Sequence, residues 1–112
     1  MTDSSDNLFE GIPELTDEEF AEELARGDGV RVERIVSRGH RSPEGFWYDQ
    51  DEDEWVVLLR GSAELEFADG RRLEMRPGHH VWIPAHERHR VARTDGDGDT
   101  VWVCVYARPG RP

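Results

Sequence analysis

Gly78-His79-His80-Val81-Trp82-Ile83-Pro84-Ala85-His86-Glu87-Arg88-His89, running into Arg90-Val91-Ala92-Arg93-Thr94, carries the strongest structural signal in the chain. Val81, Trp82 and Ile83 are strand formers enclosed by Gly78 and Pro84, and so short a run between such punctuators reads as a β-strand. Successive side chains of a strand face opposite ways, so His79 and His80 point apart and cannot chelate one ion. His86 falls in the following loop. His89 opens the next strand and shares its parity with Val91.

Working outward from this segment, similar short apolar runs recur at Val30 to Val36, Gly45 to Gln50, Glu54 to Arg60, Ser62 to Phe67, Leu73 to Met75 and Thr100 to Tyr106. Their even spacing predicts an all-β sandwich or barrel. Asp69-Gly70 marks a hairpin. An odd loop, Asp69-Gly70-Arg71, sets Phe67 against Leu73 and Leu65 against Met75, with the apolar residues on one face. One short helix is predicted over Thr16 to Arg26. Thr16 with Glu19 forms a capping box, Phe20, Ala21, Leu24 and Ala25 form an apolar stripe, and Gly27 is placed as the cap. The expected organisation is a tail over 1–7, a helix-bearing segment over 8–29, a barrel over 30–106 and a second tail over 107–112. The 112 residues thus make one domain.

Fourteen basic residues, all arginine, against 25 acidic ones give a net charge of −11. Such a charge repels phosphate backbones and anionic lipid, which argues against nucleic-acid and membrane partners. The N-terminus has neither the basic nor the apolar region of an export signal, and Cys104 is single and lies in an apolar run; both features predict a cytoplasmic protein. No phosphate-binding glycine loop, nucleophile elbow, Cys-x-x-Cys pair or dinucleotide fingerprint is present, which removes kinases, serine hydrolases and nicotinamide enzymes. The acidic run Asp49 to Glu54 lacks the glycine and spaced glutamate of a calcium loop.

Two segments resemble the paired motifs of the cupin superfamily, Gly-x5-His-x-His-x3,4-Glu-x6-Gly and Gly-x5-Pro-x-Gly-x2-His-x3-Asn. Gly78, Pro84 and His89 match the second, with His86 at its second glycine and Arg93 at its asparagine. In the first, Glu54 and Gly61 match, while Tyr48 and Gln50 stand at the two histidine positions, so the motif is degenerate. Ser42 to Gln50 running into Glu54-Trp55 further resembles a bacterial subgroup of small stand-alone cupins. The resemblance implies a jelly-roll barrel over most of the chain and a site inside it.

Strand parity bears on the same residues. Tyr48, Gln50 and Glu54 share parity with Val56 and Leu58, so if the latter fill the interior the former face inward at its open end. The candidate pocket is Tyr48, Gln50, Glu54 and His89. Polar side chains buried in an apolar barrel need a partner, because each unpaired one costs about 1–3 kcal/mol. Two readings fit these residues. In one, Gln50, Glu54 and His89 hold a divalent metal, zinc, manganese or iron, which acts on a small molecule. In the other, the four residues bind a small polar ligand without metal, or satisfy one another. Four tryptophans, Trp47, Trp55, Trp82 and Trp102, are expected as core or dimer contacts, and a homodimer is the expected assembly.

Overall fold

The structure is a computed structural model and describes residues 6–110. Eight strands follow in chain order: β1 (Phe20–Gly27), β2 (Val30–Ser37), β3 (Asp53–Arg60), β4 (Ala63–Phe67), β5 (Arg72–Met75), β6 (His80–Ile83), β7 (His89–Thr94) and β8 (Thr100–Ala107). They form a five-stranded sheet in the order β1-β2-β8-β3-β6 and a three-stranded sheet in the order β5-β4-β7. All the pairings are antiparallel. None of the described residues forms a helix long and apolar enough to cross a membrane.

Alternation in the sequence builds the interior. Val56 and Leu58 of β3, Leu65 and Phe67 of β4, and Trp102 and Cys104 of β8 are buried in one cluster between the sheets. Their outward neighbours along each strand are more exposed, the signature of a strand with one face on the core. At one end of this cluster the inward positions turn polar: Glu54, His89 and Tyr106 are buried there.

The helix expected over Thr16 to Arg26 is not formed. Thr16 does cap, since its Oγ1 accepts from the Glu18 amide at 3.4 Å, but it closes a turn. The chain then extends as β1 and pairs along β2 from Phe20 opposite Val36 to Gly27 opposite Val30. A helix of about ten residues is marginal on its own. The open edge of β2 offers a full ladder of hydrogen bonds instead, and this outweighs local propensity. The register shifts between Glu23 and Ala25, leaving Leu24 as an exposed bulge residue. The sheet therefore begins at Phe20, ahead of the expected boundary at Val30.

Three further expectations change. Ala107 belongs to β8 and the Arg108 amide donates to the Gly29 carbonyl at 2.8 Å, so ordered pairing passes the expected boundary at 106. Met1 to Ser5 and Arg111-Pro112 of the two expected tails lie outside the described residues. Gly45 to Gln50 is no strand, and only Tyr48 makes a bridge, to His89. In the β4–β5 hairpin Leu65 faces Leu73 and Ala63 faces Met75. The apolar side chains share a face as expected, but the register lies two residues away, because Phe67 closes on Arg71 around Ala68-Asp69-Gly70 with Gly70 at φ 97°.

Candidate functional site in the barrel interior

The polar end of the interior is a cavity of about 70 Å3, with room for roughly five waters on a scale where one takes about 10–15 Å3. Tyr48, Gln50, Glu54 and His89 all line it. Glu54 enters from β3 and His89 from β7, one from each sheet, while Tyr48 and Gln50 come from the extended segment before β3. That segment is held by paired main-chain bonds, Tyr48 N to His89 O at 2.7 Å and His89 N to Tyr48 O at 3.2 Å. The Tyr48 ring consequently stacks on the His89 imidazole, with centroids 5.4 Å apart.

The tautomer of His89 is fixed from outside the cavity. Its Nδ1 donates to the Glu87 carbonyl at 2.8 Å, which turns Nε2 toward Glu54 Oε1, 3.6 Å away. The same carboxylate oxygen accepts from the Gln50 amide at 3.4 Å. Both His89 and Glu54 are less than one-tenth exposed. Burial opposes a charged imidazole, but the Glu54 carboxylate facing Nε2 and the Glu87 carbonyl on Nδ1 outweigh it and raise the His89 pKa above its ordinary value. The Tyr48 phenol is pushed up by burial and by the charges of Glu19 and Glu54. Burial likewise holds the Cys104 thiol and the Tyr106 phenol protonated well past their usual ranges.

The cavity contains residues that the sequence reading passed over. Glu19, read there as a capping residue, lines its mouth and accepts from the Ser37 hydroxyl at 2.8 Å. Trp102, Cys104 and Tyr106 line it from β8; their shared parity was the available signal. His86 does not line it. Its ring sits on the acidic loop, with Nδ1 2.7 Å from Asp49 and Nε2 3.4 Å from Asp51, and the Asp49 bond raises its pKa. His79 accepts from the Arg76 amide, His80 from the Trp55 indole and His40 from the Arg38 amide, so each has a structural partner.

The model of the Cupin domain family (Cupin_2) matches residues 39–106. The chain belongs to the cupin family. Among solved structures, this cupin is 44% identical to a proposed mannose-6-phosphate isomerase from Ralstonia eutropha JMP134, covering 95% of this chain and 99% of that one with a TM-score of 0.89. An RmlC-like cupin protein from Desulfovibrio desulfuricans is 17% identical over 96% of this chain and 98% of that one, with a TM-score of 0.76, and shares the fold. A curated relative, the RCS-specific HTH-type transcriptional activator RclR of Escherichia coli (strain K12), is 33% identical over 54 residues. That match spans 48% of this cupin and about a fifth of the activator, 19% of its length.

Cupins commonly carry a metal, and the donors here can be tested against one. Zinc needs about four ligands at about 2.0–2.3 Å, and manganese or iron more. Beside one imidazole nitrogen, that of His89, this cupin offers the Glu54 carboxylate, with Gln50 presenting its amide nitrogen to Glu54, while the Glu19 carboxylate at the mouth accepts from Ser37. Among the described residues no three His, Cys, Asp or Glu side chains come together as a metal-holding group. The donor set does not fit a resident metal.

Proposed function

We propose that this cupin binds a small, uncharged polar molecule in its barrel cavity without a resident metal, through Glu54 and His89. The fixed gap between these two groups carries the reading. At 3.6 Å the pair is too far apart for a good hydrogen bond. A ligand hydroxyl or carbonyl oxygen beside them takes a bond from protonated Nε2, and a ligand O–H or N–H gives one to the carboxylate. Among the described residues no arginine lines the cavity, whereas Glu19 and Glu54 do. A phosphate or carboxylate ligand would find no guanidinium partner there and would lie beside two carboxyl side chains. The mannose-6-phosphate isomerase activity proposed for the Ralstonia protein therefore draws no support from the lining of this cavity.

A second reading, an acid–base enzyme, is favoured by the raised pKa of His89. Nε2 can accept a proton from a bound C–H or O–H acid and return it, with Glu54 stabilising the imidazolium. Metal analysis of untagged protein before and after chelation tests both readings, together with a ligand-observed NMR screen of small diols and hydroxyketones. Substoichiometric metal, with binding lost in His89→Ala, is expected. One equivalent of metal that chelation removes and His89→Ala fails to retain would overturn the metal-free assignment.

We also propose a homodimer through the outer face of the large sheet. Trp55 and Trp82 are cross-strand partners there, flanked by Val57, Val103 and Val105, and Trp82 is 54% exposed. An apolar cluster on a chain of net charge −11 is where two copies can meet with least repulsion. Light scattering should give twice the chain mass, and Trp82→Glu should give the monomer.

A further inference from the structure

A groove of about 790 Å3 lies along the small sheet and the β2–β3 loop, apart from the barrel cavity. Four arginines, Arg41, Arg72, Arg90 and Arg93, line it against two glutamates, Glu44 and Glu64. This positive balance is the reverse of the chain's net charge of −11.

Two of these arginines have structural work. Arg72 pairs with Glu64 and Glu66. Arg90 pairs with Glu66 at 3.0 Å and donates to the Ser42 carbonyl at 2.9 Å, which fastens the loop to β7. The other two do not. Among the described residues Arg41 and Arg93 form no ion pair, and the one side-chain bond of Arg93 is a 3.4 Å contact with the Ser62 hydroxyl. Both are exposed. Buried Arg90 Nε also lacks a hydrogen-bond partner among the described residues. A ladder that served only to solvate the sheet would pair its charges across the strands, as Arg72 and Arg90 do. Arg93 stands opposite Glu64, but that carboxylate is taken by Arg72, so Arg41 and Arg93 bring two guanidinium forks without an ion pair to one concave surface, a donor type suited to a tetrahedral oxyanion.

We propose that this groove binds a small phosphorylated molecule, its phosphate held by Arg41 and Arg93. The loop residues Arg41, Ser42 and Pro43 also line a second opening of about 260 Å3, which shares Glu19, Tyr48 and Val91 with the barrel cavity. The phosphate site is thus anchored on the loop that borders the way into the barrel.

Inorganic phosphate is the probe, titrated calorimetrically into the full chain at constant ionic strength, with sodium chloride as the reference. Saturable binding of one phosphate per chain is expected, weakened at least about tenfold in Arg41→Ala/Arg93→Ala, since both charge-assisted contacts are lost. Arg38→Ala, whose arginine pairs with Asp99, and His89→Ala should bind as the parent does. A phosphate heat equal to that of chloride, or an affinity unchanged in the double variant, would overturn the proposal. Loss of phosphate binding in His89→Ala would move the site into the barrel and overturn it equally, and would count against the uncharged-ligand reading of that cavity.

Discussion

His89 Nε2 and Glu54 Oε1 face each other at 3.6 Å across the two sheets, while His89 Nδ1 is bound to the Glu87 carbonyl at 2.8 Å. The main chain thus fixes which nitrogen meets the carboxylate. A neutral His89 would turn a lone pair toward an anion, and a protonated one forms an ion pair.

The pH dependence of stability should follow from this relationship. The folded pKa of His89 is raised, so its stabilising contribution is complete below the unfolded value of about 6.5 and is lost as pH rises through the folded value. His86 shifts in the same direction, so a His86→Ala background isolates His89. In that background the urea midpoint should fall as pH rises above about 6.5, and Glu54→Gln should flatten the fall. A flat profile with Glu54 intact would show that the pair is not coupled.

Removing one partner and removing both should have opposite consequences. Glu54→Leu strands a buried imidazole and should cost about 3 kcal/mol in urea unfolding. Glu54→Leu/His89→Leu replaces the pair with apolar volume and should match or exceed the parent in stability while losing ligand binding. A double variant less stable than either single one would mean that the polar pair holds the barrel together.

Arg34 should prove a structural keystone outside the site. It is buried on the outer face of β2, where its guanidinium donates to the carbonyls of Leu8 at 3.0 Å and Glu10 at 2.7 Å and pairs with Glu22. Arg34→Ala strips these partners from the N-terminal segment and should cost about 3 kcal/mol. Hydrogen exchange should then rise first over residues 8–27.

The barrel was legible in the sequence wherever alternation was strict. Val56 and Leu58, or Leu65 and Phe67, can satisfy only one face, and their parity also carried Glu54 inward. β1 was not legible, because Phe20 to Gly27 is composed for a helix and takes its structure from the vacant edge of β2, a feature of the tertiary fold. The same cause hid Glu19: a capping glutamate in a helix becomes a cavity residue once the segment extends along β2. The β4–β5 register escaped by two residues because parity fixes the face of a strand and not its offset. The arginine groove was beyond sequence reading, since Arg41 and Arg93 lie more than 50 positions apart and only the fastening of the loop to β7 brings them to one surface.

Two glycines of the family pattern should respond unequally to the same substitution. Gly61 and Gly78 both have positive φ, 88° and 95°, so alanine strains the backbone at either by about 1–2 kcal/mol. At Gly78 nothing lies within 4 Å of the added Cβ, and that strain is the whole effect. At Gly61 the Cβ would come within 2.7 Å of the Thr100 Cα and 2.8 Å of the Asp99 carbonyl, both backbone, where β8 begins. Relief requires moving β8, the central strand that carries Trp102, Cys104 and Tyr106 into the cavity. Gly61→Ala should therefore cost about 3 kcal/mol or more in urea unfolding and disturb the His89 ring resonances, whereas Gly78→Ala should cost about 1–2 kcal/mol and leave them in place. Equal costs would show that the close approach of Gly61 to β8 is loose enough to yield, and that backbone conformation alone selects glycine at both positions.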